Sequence, residues 1–150
     1  MLRYDALICS GLLALACAGG GGNETAGTPE PARHNPFVRI SNASLSPPST
    51  RVKAGSRVSF VNISSYLAVV VLQASASDFE CIGLGPDFEI DGDWIRSEPI
   101  GGSGNQLSLP CSMKAGSYDY RVQLSAGVYA IGNQQLEYSG QLHFEARQAP

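Results

Sequence analysis

Histidine is nearly missing from this chain of 150 residues, which holds only His34 and His143. A serine nucleophile needs a base oriented beside it, and the folded part offers His143 alone. There is no Gly-x-Ser-x-Gly elbow and no His/Cys set at zinc spacing. Charge is also sparse: ten Lys and Arg against thirteen Asp and Glu give a net charge of −3, with the basic residues scattered. That excludes the basic stripe a nucleic-acid surface needs. The acids gather between Asp87 and Glu98 on a segment that reads as solvated, which does not suit acid–base work. The sequence therefore predicts a protein without catalytic residues. After the N-terminus no apolar run approaches the roughly twenty residues of a membrane span.

At the N-terminus, Leu2-Arg3 precede the apolar run Ala6 to Ala16, about the length of a signal h-region. The run ends in Leu13-Ala14-Leu15-Ala16-Cys17, followed by Ala18 and four glycines. This resembles the bacterial lipoprotein signal, which implies a signal peptide over 1–16 and a lipid on Cys17 as the mature N-terminus. The alternative is an ordinary cleaved signal with an incidental Cys17. An acyl chain contributes about 0.8 kcal/mol per buried methylene, enough to help hold the chain on a membrane surface. Residues 17–36 are rich in Gly, Pro, Thr and Asn with no apolar period, and read as a flexible tether. The folded unit is then 37–146, with 147–150 as a tail. Once Cys9 leaves with the signal and Cys17 is given to lipid, Cys81 and Cys111 remain. An exported pair defaults to a disulfide, with two free thiols or a metal pair as alternatives.

The folded unit has β periodicity. Val38 and Ile40 alternate with Phe37, Arg39 and Ser41, and Val58 and Phe60 alternate with Arg57, Ser59 and Val61. Val69 to Leu72 is a continuous apolar run, as in a strand covered on both faces. Further strands are expected at Phe88 to Trp94, Gln106 to Leu109, Ser117 to Val122 and Tyr138 to Ala146, divided by Gly and Pro turns. Seven or eight short strands without a helix predict an antiparallel Greek-key β-sandwich.

Val52 to Asn62, reading Val-Lys-Ala-Gly-Ser-Arg-Val-Ser-Phe-Val-Asn, resembles the second-to-third strand hairpin of cupredoxins. Met113 to Tyr120 resembles a later hairpin of that family, and Gly140 to Phe144 its closing strand. The resemblance implies the plastocyanin- and azurin-type fold over most of 37–146. It also implies where copper ligands would stand, since a blue-copper centre uses a thiolate, two imidazoles and commonly a weak thioether. The first histidine falls at Ala68, the cysteine at Val122 and the methionine at Tyr138, while Gln123 to Val128 contain no second histidine. The resemblance thus implies the frame without its copper, and a ligand site closed by apolar bulk, provided the Tyr138 hydroxyl finds a partner.

Asp87 to Glu98 also places acids at positions 1, 3, 5, 7 and 12 of an EF-hand-like loop (Asp87, Glu89, Asp91, Asp93, Glu98), with Gly92 at position 6. The competing reading is a hairpin turning at Asp91-Gly92, with Phe88, Ile90 and Trp94 facing inward; Pro86 and Pro99 leave no flanking helix. No cofactor is expected, with calcium at these acids as the alternative. Asn23, Asn42 and Asn62 begin Asn-x-Ser/Thr triplets, acceptors only in a eukaryotic secretory chain. The end, Phe144 to Pro150, lacks the apolar tail of the lipid-anchored phytocyanin-like proteins of plants, which favours the bacterial reading. Tyr118, Tyr120, Tyr129 and Tyr138 suit either a contact surface or a core. Together these point to an envelope lipoprotein, outer membrane by resemblance, whose sandwich binds a protein partner. A metal-handling or redox protein and a binder of small apolar ligands are the alternatives.

Overall fold

A computed structural model describes residues 30–126 and 135–149, so the signal segment 1–16, Cys17 and Tyr129 lie outside the described residues. Among the described residues ten strands form two sheets. They are β1 (Phe37–Ile40), β2 (Leu45–Ser46), β3 (Ser49–Val52), β4 (Ser59–Asn62), β5 (Leu67–Leu72), β6 (Phe88–Asp91), β7 (Trp94–Ser97), β8 (Asn105–Ser108), β9 (Gly116–Ser125) and β10 (Gln135–Phe144). The first sheet runs β2-β1-β4-β8 and the second β3-β10-β9-β5-β7-β6. Among the described residues the only helical element is a 3-10 turn, Ala76–Asp78, and no helix is long and apolar enough to cross a membrane.

The alternation read from the sequence builds the core. Val38 and Ile40 from β1 and Phe60 from β4 meet Val70 and Leu72 from β5 and Tyr120 and Val122 from β9, all buried. Phe60 and Tyr120 join the layers edge to face, with ring centroids 5.3 Å apart. In β5 the run is buried on both faces, as expected: Val69 and Val71 turn away from the core and lie in register beside Gln123, Arg121 and Arg96, whose stems suit that outer face. Tyr118 and Tyr120 are core rather than contact surface.

The sandwich departs from the expected one in four ways. It has ten strands, because the segment from Ser44 to Val52 splits at Pro47-Pro48 into β2 and β3 in different sheets, and because Phe88 to Ser97 folds as a hairpin. The sheets are mixed: β1 pairs with β4, and β3 with β10, in parallel. Val52 to Asn62 is not a hairpin, since β3 and β4 belong to opposite sheets. The turn at Lys53 to Ser56, closed by a Ser56 N–H to Lys53 carbonyl bond of 3.1 Å with Gly55 at φ +79°, carries the chain across the core instead. The fourth concerns the β6–β7 turn, which is centred on Gly92-Asp93, with Gly92 at φ +62°, so Asp91 pairs with Trp94. Ile95 and Ser97 therefore face inward with their partners Ile90 and Phe88, while Trp94, expected inside, turns to the outer face under the Arg121 guanidinium; Ile90, on the edge strand, is 60% exposed. β6 lies at the edge of a six-stranded sheet facing a four-stranded one.

Both ends of the folded unit extend past the expected limits. Arg33, assigned to the tether, pairs with β3: its N–H donates to the Arg51 carbonyl and its carbonyl accepts from Lys53 N–H, each at 3.0 Å. Arg147, assigned to the tail, makes a 2.9 Å ion pair with Glu80. Cys81 and Cys111 are joined as a disulfide, with Cα atoms 6.0 Å apart and a sequence separation of 30.

Candidate functional site

The three positions where the cupredoxin resemblance implies ligands come together in the second sheet. Val122 on β9 lies in register with Val70 on β5 and with Tyr138 on β10, while Ala68 on β5 lies opposite Leu124 on β9. Ala68, Val122 and Leu124 are fully buried, and Tyr138 packs against the core. The Tyr138 hydroxyl finds the partner it needs, donating to the Asn42 carbonyl at 2.8 Å. The backbone of Ala68 is equally committed: its N–H donates to the Ile100 carbonyl at 3.0 Å, and its carbonyl accepts from Ile100 N–H at 2.7 Å.

Asn62 fastens the loops over this end. Its amide donates to the Tyr66 and Ile100 carbonyls, both at 2.8 Å, and its oxygen accepts from Ser64 N–H at 3.0 Å and the Ser64 hydroxyl at 2.6 Å. A fully buried amide with two donors and two acceptor positions engaged has nothing left for a ligand. Gly102 closes the arrangement, since a Cβ there would stand 2.3 Å from the Ser64 carbonyl oxygen. The three positions the resemblance marks hold a methyl, an isopropyl and a phenol already used as a donor, and none of these supplies thiolate, imidazole or thioether. These residues do not fit copper.

The two histidines are occupied elsewhere. His34 Nδ1 lies 3.1 Å from the Ser56 hydroxyl, and His143 Nδ1 lies 2.8 Å from the Ser117 hydroxyl across the β10–β9 pair. The Ser117–His143 contact has the shape of a nucleophile–base pair, but it sits on a sheet face. Among the described residues the Ser117 hydroxyl is the one hydrogen-bond partner of the ring, and no third group orients it.

The acids of the calcium pattern lie along the β6–β7 hairpin. Glu89 is opposite Arg96 and Asp91 opposite Trp94, Asp93 is in the turn, and Glu98 N–H donates to the Asp87 carbonyl at 2.8 Å. An EF-hand loop wraps its oxygens about one point, whereas four residues of extended strand separate Asp87 from Asp91 by about 13 Å. Among the described residues no three His, Cys, Asp or Glu side chains group to hold a metal.

A different surface emerges on the outer face of the first sheet. Phe37 is 50% exposed with the Arg39 guanidinium 5.6 Å above its ring, and Ile63 is 51% exposed. Asn35, Phe37, Arg39, Ser59, Val61 and Gln106 line a shallow groove of about 470 Å³ there. Arg39 is the one charged residue in the four strands of this sheet. Outward parity of Phe37, Arg39 and Val61 was legible in the sequence; that no other layer of the described residues covers them was not.

No protein-family model matches the chain, and no curated protein does. Among solved structures, that of dithionite-reduced auracyanin from the photosynthetic bacterium Roseiflexus castenholzii is similar, at 18% identity and a TM-score of 0.45, over 80% of this chain and 100% of that one.

Proposed function

We propose that the chain is a non-catalytic, lipid-anchored envelope protein whose cupredoxin-like sandwich works as a binding module for a protein partner, without copper. The sealed end of the sandwich is what supports this most: Ala68, Val122 and Tyr138, at the positions the resemblance marks for ligands, pack into the core, and Asn62, Ile100 and the Asn42 carbonyl use up the polar groups around them. The lipid anchor rests on Leu13 to Cys17, and a bacterial envelope location, outer membrane facing the periplasm or the surface, follows from that anchor.

The test has two arms. Untagged protein titrated with Cu²⁺ is expected to develop no thiolate charge-transfer band near about 600 nm, because no cysteine stands on the ligand strand. Cross-linking in membranes followed by purification is expected to return a reproducible envelope partner. A blue band, or stoichiometric metal in protein as purified, would replace this reading with a metal-handling one. Heat on adding Ca²⁺ that disappears in Glu98→Gln would favour calcium at the β6–β7 hairpin.

A further inference from the structure

The free edge of β8 carries an observation that the sealed end does not explain. In β4 the N–H groups of Ser59 and Ile63 turn toward β1, donating to the carbonyls of Pro36 and Ile40, so Val58, Phe60 and Asn62 direct their backbone groups toward β8. The Leu109 N–H accordingly donates to the Val58 carbonyl at 2.8 Å, and Leu107 lies opposite Phe60. Antiparallel pairing alternates, so Gln106 and Ser108 point their N–H and C=O groups the other way, off the edge of the sheet. Among the described residues no backbone group bonds to them, and both residues are exposed.

Natural edges are guarded by charge, proline or shortness. The β6 edge has Glu89 and Asp91, and β2 has two residues. β8 is Asn-Gln-Leu-Ser, four residues without charge, proline or bulge. Its outward groups are also self-complementary. Two copies related by a twofold axis through Leu107 set Gln106 of one against Ser108 of the other, and four backbone bonds close at once. The outer faces bearing Phe37, Val61 and Ile63 then lie side by side on one eight-stranded sheet, with the Arg39 side chains two strands from the axis on each side, so no like charges meet at the seam.

We propose that this protein self-associates by antiparallel pairing of β8 with β8 of a second copy. This deepens the binding-module reading, and rests on it, by naming a second copy of the chain as a partner. An edge contact of this size belongs with weak, concentration-dependent interfaces. Copies held on one membrane surface would meet at raised effective concentration.

Sedimentation of the full chain over a concentration series tests it. The weight-average mass should rise toward that of a dimer. Gln106→Pro removes an N–H that the β4 pairing does not use, so it should keep the thermal midpoint while weakening association by more than about tenfold. Should that variant misfold, Ser108→Lys guards the same edge with charge, and its association should return as salt is raised. Ile82→Ser, at a fully exposed apolar residue in the loop after Cys81, should associate as wild type does. The proposal is overturned by a monomer at every concentration, by association that survives both edge variants, or by association lost in Ile82→Ser. An envelope partner captured from membranes by a chain that stays monomeric would keep the binding-module reading and reject this one.

Discussion

Asn62 and Tyr120 are the residues whose surroundings make the sharpest demands. Asn62 makes four hydrogen bonds while fully buried, so Asn62→Ala leaves the Ser64 N–H without its acceptor and takes one donor each from the Tyr66 and Ile100 carbonyls, which keep only the Ser64 hydroxyl and the Ala68 N–H. A loss of about 3 kcal/mol is expected, with faster hydrogen exchange at Ser64 to Tyr66 and at Ile100. Tyr120 is the opposite case: its hydroxyl is buried with no partner among the described residues. Tyr120→Phe is therefore expected to stabilise the protein by roughly 1 kcal/mol in denaturant unfolding. Burial also pushes the Tyr120 phenol well above the usual tyrosine range. The folded state thus holds this proton where the unfolded chain releases it, at a pH of about 10. Its contribution is present in full below that pH and is lost as pH rises above it, so stability should fall steeply on the alkaline side. Tyr120→Phe should flatten that fall. A smaller alkaline effect is expected from Tyr118, whose phenol is raised by burial and then by the Asp78 charge.

At the scale of elements, β10 has to pass close over Tyr120. A Cβ on Gly140 would lie 2.4 Å from the Tyr120 ring and hydroxyl and 2.6 Å from the Pro48 carbonyl oxygen. Gly140→Ala is expected to cost about 2 kcal/mol or more. Tyr120→Leu in the same chain should recover part of the loss, and a double-mutant cycle showing no coupling would contradict the packing argument. The Cys81–Cys111 staple acts on a longer stretch. Closing 30 residues is worth about 3.5 kcal/mol in the chain-entropy model. Glu80 N–H donates to the Ser112 carbonyl at 2.9 Å and Lys114 N–H to the Asp78 carbonyl at 2.8 Å, so the same segments are also joined by backbone bonds. Reduction should therefore lower the unfolding midpoint while leaving the near-ultraviolet circular dichroism native at low denaturant.

For the whole molecule, function turns on whether the sandwich is held at a membrane and what its open face meets. Cys17→Ser is expected to move the protein from the detergent phase to the aqueous phase in a two-phase extraction and to abolish acyl mass on the N-terminal peptide. A wild-type chain found in the aqueous phase without acyl mass would remove the anchor from the proposed function. Weaker capture of the envelope partner by Phe37→Ser with Ile63→Ser would assign binding to the first-sheet face, because exposed apolar residues there lose contact area without disturbing the core.

Alternation of apolar residues settled the fold class in advance, because a side chain every second position must choose between core and solvent, and Val38, Ile40, Phe60 and the β5 run choose alike in any register. That Ala68, Val122 and Tyr138 cannot supply thiolate or imidazole in any conformation is equally a matter of residue type alone. Which acids lie near one another was not. The Asp87 to Glu98 spacing suits a loop and a hairpin alike, and the turn at Gly92-Asp93 decides between them. Nor could local pattern show that β3 and β4 separate into different sheets, that Arg33 joins the sandwich, or that β8 ends its sheet with Gln106 and Ser108 facing outward. Those outcomes depend on which strands pair across long sequence distances. Pairing is settled by the fit of two whole layers, so only the tertiary structure decides it.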